Sequence, residues 1–366
     1  MKIVFRADAS VDIGTGHVMR CLTLATELQK LGHDCSFICR KHDGHLADHI
    51  AASGFKLHLF PNTSEFKPSD DSRLVHAAWL GTTWREDVEQ TILVLTHDQI
   101  DWLIVDHYAL DARWEQEIER HVKRVMVIDD LADRQHVCSL LLDQNLGRKT
   151  CDYENLVAPE CKILIGPNYA LLRSEFAQLR SESLQRRREP IIKRILISMG
   201  GVDSGNITSD VLKTLEQSDL SAEIQLDVVM GQAAPHLREV KQLASQLRFH
   251  TTVNVNVSDM AERMCVADLS IGAAGSTAWE RCCLGLPSLI FLLADNQCLI
   301  ANALNDYQAA VIVEKREKSN SDSMLSKIEI LLQPEKRIQM SQSAASVTDG
   351  KGAMRVVKKL EDSLLQ

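Results

Sequence analysis

Short apolar runs alternate along the whole chain with stretches whose apolar residues recur every three or four positions. That alternation is the pattern of a parallel sheet wrapped by helices. In the first half the runs are "KIVFRA" (2–7), "DCSFIC" (34–39), "FKLHLF" (55–60), "WLIVD" (102–106), "KRVMVID" (123–129) and "SLLL" (139–142). Their nearly continuous apolar character predicts strands covered on both faces. Helical period marks segments such as 17–31 and 84–96. The second half restarts the pattern, with strands expected at 194–199, 224–230, 250–255, 268–272, 287–292 and 309–313, and helices beginning after 206, 235, 259, 276 and 296.

Between the halves lies "SESLQRRREP" (181–190), charged and closed by a proline, which reads as a linker. The predicted organisation is therefore an N-terminal α/β domain over 1–180, a linker over 181–190, a second α/β domain over 191–320, and two or three helices over 321–366. Both domains are expected to be Rossmann-like and doubly wound, facing a cleft, because open parallel sheets bind ligands at the carboxyl ends of their strands. No internal repeat or low-complexity tract interrupts this scheme.

Composition narrows the function. At 366 residues and 45% apolar, the chain is long enough for two domains with sizeable cores. A formal net charge of −9 argues against a general nucleic-acid binder or a polybasic membrane anchor. No apolar run approaches the roughly 20 residues of a membrane span, and no secretory leader precedes the first strand. The expectation is a cytoplasmic protein without membrane insertion. Ten scattered cysteines without any C-x-x-C spacing read as reduced, mostly buried thiols.

The candidate chemistry begins at "RADASVDIGTGHVMRCLTLA" (6–25). Met19 stands where a dinucleotide-binding G-x-G-x-x-G would need its third glycine, so Gly14 and Gly16 are better read as permitting a tight turn and close approach of a ligand. His17 then falls at a helix N-terminus, whose dipole disfavours a cation and so favours a neutral, proton-accepting imidazole. Asp8 and Asp12 would favour the cation or orient the ring. From the residues alone, His17 is either a general base or a histidine that caps its helix.

Two further signals lie in the second half. In "SMGGVDSGN" (198–206), Gly200 and Gly201 let the backbone turn close to a ligand before a helix that starts near Asn206. In "SIGAAGSTAWE" (270–280), small residues lead into a helix near Ser276, an arrangement suited to a phosphate. Glu280, one turn on, is placed to accept both hydroxyls of a ribose. "HDGHLADH" (42–49) lacks the spacing of a zinc site and reads as a solvated histidine-rich helix.

In order along the chain, "FRADASVDIGTGHVMRCLTLA", "WLGTTWRED" (79–87), "IVDHY" (104–108), "IDDLADR" (128–134), "LLDQN" (141–145), "YALLRSEF" (169–176), "SMGGVD" and "GAAGSTAWE" resemble the UDP-2,4-diacetamido-2,4,6-trideoxy-β-L-altropyranose hydrolases of pseudaminic acid biosynthesis. The resemblance covers about residues 1–315. "GAAGSTAWE" is shared more loosely with two-domain GT-B glycosyltransferases. The resemblance implies a GT-B-like fold and metal-independent, cofactor-free hydrolysis of a UDP-activated diacetamido sugar by water, serving surface or flagellin glycosylation. It implies His17 as the base that activates water, with Tyr108 beside it in the catalytic pocket. Tyr169 and Arg173 would lie at the domain junction or sugar pocket. Ala274, Gly275, Ser276 and Thr277 would hold the pyrophosphate, Glu280 the ribose, and Asn296 and Gln297 would lie near the phosphates or sugar. The expected stereochemical outcome is inversion. The alternatives are a GT-B glycosyltransferase that needs an acceptor, a UDP-sugar 2-epimerase, and a non-catalytic UDP-sugar-binding protein.

Overall fold

The computed structural model describes residues 1–62, 74–96, 98–293, 297–314 and 321–364. The chain divides into two compact units. Unit 1 comprises 1–171 and 352–366, and unit 2 comprises 172–351.

Unit 1 is built on a seven-stranded sheet of β1 (Lys2–Ala7), β2 (Asp34–Arg40), β3 (Lys56–Phe60), β4 (Ile100–Asp106), β5 (Val122–Ile128), β6 (Leu140–Asp143) and β7 (Lys162–Ile165). Its spatial order is β3-β2-β1-β4-β5-β6-β7, and every pairing is parallel. The order reverses between β1 and β4, the topological switch at which doubly wound sheets bind ligands. Ala7 pairs with Asp106 there, so both strands end level. The strands expected from 2–7 through 139–142 are all present, and β7, from "KILI", adds a seventh that the sequence reading did not assign.

Helices cover both faces of this sheet. α1 (Gly16–Lys30) presents Cys21, Leu24, Ala25 and Leu28 to one face. The opposite face takes α3 (Trp84–Leu95) and α4 (Ala112–Ile118), with Val88, Leu95, Trp114 and Ile118 buried. α2 (Ala47–Ala52) is a single short turn after β2. Beneath the switch point lies a polar core without solvent exposure. Arg6 forks onto Asp87 (Nη2–Oδ2 2.7 Å), Arg40 shares the same carboxylate (2.7 Å), and the Trp114 indole N–H donates to its other oxygen (3.1 Å). Asp8 belongs to this core, 2.7 Å from Arg6 and accepting from the Arg40 amide at 2.6 Å. Burial opposes ionisation of Asp8 and Asp87, but the guanidinium groups outweigh it and hold both carboxyls below the usual range.

Unit 2 opens with α5 (Ser174–Arg186) and carries a six-stranded parallel sheet in the order β10-β9-β8-β11-β12-β13. Its elements are β8 (Arg194–Ser198), α6 (Ile207–Glu216), β9 (Gln225–Met230), α7 (Leu237–Ala244), β10 (His250–Val255), α8 (Met260–Val266), β11 (Leu269–Ala273), α9 (Thr277–Cys283), β12 (Ser288–Phe291), α10 (Cys298–Asp306), β13 (Val311–Val313), α11 (Ser321–Leu332) and α12 (Pro334–Val347). The order reverses between β8 and β11, again the switch point.

The structure divides the chain elsewhere than composition suggested. Residues 181–186 continue α5, and the chain passes between units at 171/172 and 351/352. The arginines that read as a solvated linker are ligands for carbonyl groups of unit 2. Arg186 donates to the oxygen of Val266 (3.0 Å), and Arg187 to those of Met264 (2.8 Å) and Ala267 (3.0 Å). The three C-terminal helices also separate. α11 and α12 bury Met324, Ile328, Leu331 and Met340 in the core of unit 2, whereas α13 (Gly352–Leu364) returns to unit 1. There Ala353, Val356, Val357 and Leu360, at helical spacing, complete the face that α1 begins. Among the described residues, no helix is long and apolar enough to cross a membrane.

Leu360→Ala is expected to destabilise unit 1 by about 2–5 kcal/mol through the cavity left between α13 and α1. Urea unfolding followed by hydrogen exchange should show amides of β1 and β4 losing protection while those of β8 and β11 keep theirs. The lowered carboxyls of Asp8 and Asp87 contribute stability above the unfolded value of about 3.9, and this is lost as pH falls through their lower folded values. Asp87→Asn should cost about 3–5 kcal/mol near neutrality. It should also flatten the acid limb of stability against pH, as measured by thermal unfolding.

Candidate active site

In unit 1 the loop between β1 and α1 is fixed by its own backbone. The Ser10 hydroxyl accepts the amides of Asp12 (3.1 Å) and Ile13 (2.9 Å), and the Gly14 amide returns to the Ser10 carbonyl at 2.9 Å. Gly14 has φ +79°, a conformation that L side chains rarely adopt. Gly16 has ordinary φ, and a Cβ built on it meets nothing within 4 Å, so the space above the start of α1 is open.

His17 follows on the first turn of α1, 8% exposed. Its Nδ1 lies 2.6 Å from Asp106 Oδ1, at the end of β4. A carboxylate oxygen only accepts, so Nδ1 carries the proton and, in the neutral ring, Nε2 carries the lone pair. Arg20, one turn further along α1, clamps Asp106 with two bonds, Nε–Oδ2 at 2.6 Å and Nη2–Oδ1 at 2.7 Å. Its remaining nitrogen, Nη1, lies 2.7 Å from Asp130 Oδ2, in the loop after β5. The Tyr108 hydroxyl donates to the same Asp130 oxygen at 2.6 Å.

Burial opposes charge on Asp106, but Arg20 and then His17 more than offset it and keep its carboxyl well below the usual range. Burial and the Asp130 carboxylate push the Tyr108 phenol up, so it remains a proton donor. Aromatic groups frame the ring. Tyr108 meets His17 edge-on with centroids 4.6 Å apart, Trp79 stacks on Tyr108 at 5.8 Å, and His76 lies 4.3 Å from Trp79. The result is an oriented, proton-accepting imidazole at a sheet switch point, inside an aromatic wall.

Asp8 does not join this constellation. Its carboxylate is spent on Arg6 and the Arg40 amide, with His107 Nε2 at 3.2 Å, and it has no exposed surface for a ligand. Asp106 orients His17 in its stead. The sequence reading places Asp106 in the strand-end "DHY" (106–108) facing the cleft without giving it a role, and it misses Arg20, Asp130, Trp79 and His76. Their signals were present: an aspartate ends β4 and another follows β5, beside the β1 switch, and Arg20 lies three positions after His17, on the same helix face. His42, in the expected histidine-rich segment, is buried with Nε2 3.5 Å from Asp8, and the His45 ring accepts the Ala47 amide.

In unit 2 the loops after β8 and β11 lie beside each other, because Gly272 pairs with Ser198. Gly200 takes φ +91°, and Gly231 must be glycine because a Cβ there would lie 2.1 Å from the Gly201 carbonyl oxygen. Asp203 caps α6, accepting the amides of Ile207 and Thr208 at 3.0 Å each. Asn206, with φ +53°, precedes that helix. After β11, Ala274 is buried, Gly275 turns the chain, and Ser276 and Thr277 stand exposed at the start of α9. The Ser276 side chain makes no bond to the helix, so it is available to a ligand. Beneath them, buried Arg281 donates to the Ala273 carbonyl at 2.7 Å, and a Cβ on Gly272 would strike that guanidinium. Glu280 has a side chain 17% exposed, and its carboxyl is pushed up to about 7 by burial, with Arg173 and Arg281 opposing and Glu175 reinforcing.

Tyr169 and Arg173, expected together, fall on either side of the boundary. Tyr169 packs on the core of unit 1, and Arg173 in unit 2 pairs with Glu175 (3.1 Å) and lies 3.9 Å from Glu280. The Gln297 side-chain oxygen Oε1 accepts the Leu293 amide at 3.0 Å. Asn296 lies outside the described residues.

Comparison with known proteins places these units. Residues 194–359 match the glycosyltransferase family 28 C-terminal domain. The resemblance read from the motifs is found: the chain is 26% identical to UDP-2,4-diacetamido-2,4,6-trideoxy-beta-L-altropyranose hydrolase of Campylobacter jejuni, over 67% of this chain and 74% of that protein. It is 28% identical to the uncharacterized protein MJ1062 of Methanocaldococcus jannaschii over 79% of this chain, a match that spans 55% of that longer protein. Among solved structures, Acinetobacter baumannii MurG superposes with a TM-score of 0.72 at 15% identity, covering 99% of both chains. UDP-GlcNAc 2-epimerase from Neisseria meningitidis gives 0.61 at 14% identity, covering 99% of this chain and 100% of that one. At such identities these structural likenesses are of fold, and the fold is GT-B-like: two doubly wound parallel-sheet α/β units in one chain.

Proposed function

We propose that this protein hydrolyses a UDP-activated 2,4-diacetamido-2,4,6-trideoxy sugar of the altropyranose type to UDP and the free sugar, as a step of pseudaminic acid biosynthesis. The observation that carries the reading is the His17–Asp106 pair. Asp106 occupies Nδ1, so Nε2 is the proton-accepting atom, beside a loop whose glycines leave open space. In this reaction a water oxygen forms a bond to the anomeric carbon while Nε2 of His17 takes its proton. The bond from that carbon to the diphosphate breaks, and the electron pair leaves with UDP. Attack opposite the leaving group inverts the anomeric centre. Asp106 stabilises the imidazolium that forms, as buried carboxylates do in other histidine-based sites.

Unit 2 supplies the nucleotide site. Backbone and hydroxyl donors of Gly275, Ser276 and Thr277 face the diphosphate, and Glu280 accepts from the ribose hydroxyls. The loop with Gly200, Gly201 and Asn206 lies beside them at the same end of the sheet, and Gln297 follows β12. Neither Asp8 nor Tyr169 has a part in this scheme. Tyr108, which donates to Asp130, lines the sugar side of His17. The similarity to the Campylobacter hydrolase supports the substrate class.

A second reading is favoured by the match of 194–359 to a glycosyltransferase domain: the same base deprotonates an acceptor hydroxyl in place of water. A proton NMR time course with the UDP-sugar, EDTA present and no acceptor, separates the two. Release of UDP with a newly formed, inverted anomeric signal is expected. Substrate that persists until an acceptor is added would establish the transferase instead.

His17→Asn should lower the rate at least about 100-fold while UDP binding, measured by calorimetry, is unchanged. Full activity in that variant would remove His17 from the mechanism. Uridine affinity should rise as pH passes upward through about 7, because the Glu280 carboxyl must ionise to accept hydrogen bonds from both hydroxyls. In Glu280→Gln the affinity should fall roughly tenfold and lose this pH dependence.

A further inference from the structure

A buried guanidinium that bridges two carboxylates is placed to do more than fill space, and Arg20 bridges the two that hold His17 and Tyr108. Its fork closes on Asp106 at 2.6 and 2.7 Å, and its third nitrogen lies 2.7 Å from Asp130. Each carboxylate has one further side chain facing the site: His17 Nδ1 on Asp106, and the Tyr108 hydroxyl on Asp130, both at 2.6 Å. Asp130 is itself fixed, since the Asn145 amide lies 3.2 Å from its Oδ1 and Arg148 donates to its main-chain carbonyl at 2.8 Å. Four ends of secondary structure (α1, β4, and the loops after β5 and β6) therefore meet in one chain of charge-assisted hydrogen bonds.

We propose that Arg20 and Asp130 are positioning residues of the site, which together fix the His17 imidazole with its proton on Nδ1 and balance the charge it gains when Nε2 is protonated. The inference rests on the reading of His17 as a base. Two carboxylates against one guanidinium leave a single negative charge uncompensated, and an imidazolium supplies the matching positive charge. Arg20 thus restrains the attraction of Asp106 for that cation, and Asp130 restrains Arg20. The remaining charged or titratable groups around the ring and its two carboxylates are Cys21 on α1, whose thiol donates to Asp106 Oδ2 at 3.6 Å, Tyr108 and His107 after β4, His76 beside Trp79, Asp133 and Arg134 near His76, and Asp143, paired with Arg148, near Asp130. None of these contacts the His17 nitrogens.

The two residues have opposite charge and lie in series, so their removal has opposite consequences. Arg20→Gln leaves Asp106 free to hold the imidazolium, and the titration midpoint of His17 should rise by roughly one pH unit. Asp130→Asn leaves the charge of Arg20 less balanced beside the ring, and the midpoint should fall. Nitrogen-15 NMR of the full chain reads both directly, with the His17 signals assigned by their loss in His17→Asn. The same spectra report the tautomer, in which the proton is expected on Nδ1 in the wild-type protein. Arg20→Lys keeps the charge and loses the fork. It should leave the midpoint near the wild-type value while the tautomer protonated on Nε2 appears and kcat falls at least tenfold with KM little changed.

Shifts in the same direction, or none, in Arg20→Gln and Asp130→Asn would overturn the proposal, since residues that merely support the fold have no reason to move one imidazole in opposite directions. Where Arg20→Gln does not fold, Asp130→Asn and Arg20→Lys decide the matter: an unmoved midpoint in the first together with an unchanged tautomer in the second overturns it. Because the readout is the imidazole itself, its failure is distinct from failure of the hydrolase reading. Opposite shifts in a protein that leaves the UDP-sugar intact would refute only the assigned reaction.

Discussion

Asp106 is the carboxylate on which unit 1 is organised. It ends β4, has no solvent exposure, and must stay ionised to accept from both His17 and Arg20. A buried charge of this kind is tolerated only when its partners are supplied at close range with good geometry. The sheet supplies them. Pairing of Ala7 with Asp106 brings the end of β1 level with the end of β4, and the loop that follows β1 delivers α1 across the gap with both partners on its first turns. A chemically useful imidazole orientation and an electrostatically acceptable interior are thus met by one arrangement, and neither is available without the switch in strand order.

The layer beneath repeats the principle with different consequences. Asp87 gathers Arg6, Arg40 and Trp114, and Asp8 gathers Arg6 and the Arg40 amide, all without exposure. These groups come from β1, β2, α3 and α4, so the network ties the sheet to the helices on one face through directional bonds rather than through apolar packing. Directional bonds admit few alternative registers. The floor under the His17 loop is thus held by ion pairs and hydrogen bonds, while the loop itself rests on Ser10 and glycine turns.

The fold was legible in the sequence where periodicity is strong. Runs such as "KIVFRA" and "RILISM" gave strands within a residue or two, and the helices after 206, 259 and 276 begin where expected. What escaped was short or long-range. β7 is four residues long with only one fully buried side chain, too little pattern to distinguish from a loop. The segment 181–190 looked like a linker because charge usually means solvent, yet its Arg186 and Arg187 are held by carbonyl groups more than 70 positions away. The site followed the same division. His17 was visible from its local setting at a helix start, and the glycine-rich loops of unit 2 from theirs. The partner of His17 is 89 positions distant, so proximity in sequence pointed to Asp8, which the fold turns inward to Arg6. Only the strand order reveals that Asp106 is the nearer carboxylate.

The return of α13 to unit 1 makes unit 2 an insertion within unit 1, and this sets an order of assembly. A ribosome delivers the chain from its amino end, so β1 through β7 are made long before Ala353, Val356, Val357 and Leu360. Unit 2 is contiguous and can close as soon as α12 has emerged. During that interval the sheet face beside α1 lacks its last apolar cover, a condition in which chains associate with one another. The first unit to be started is therefore completed only after the second, once α13 has been made.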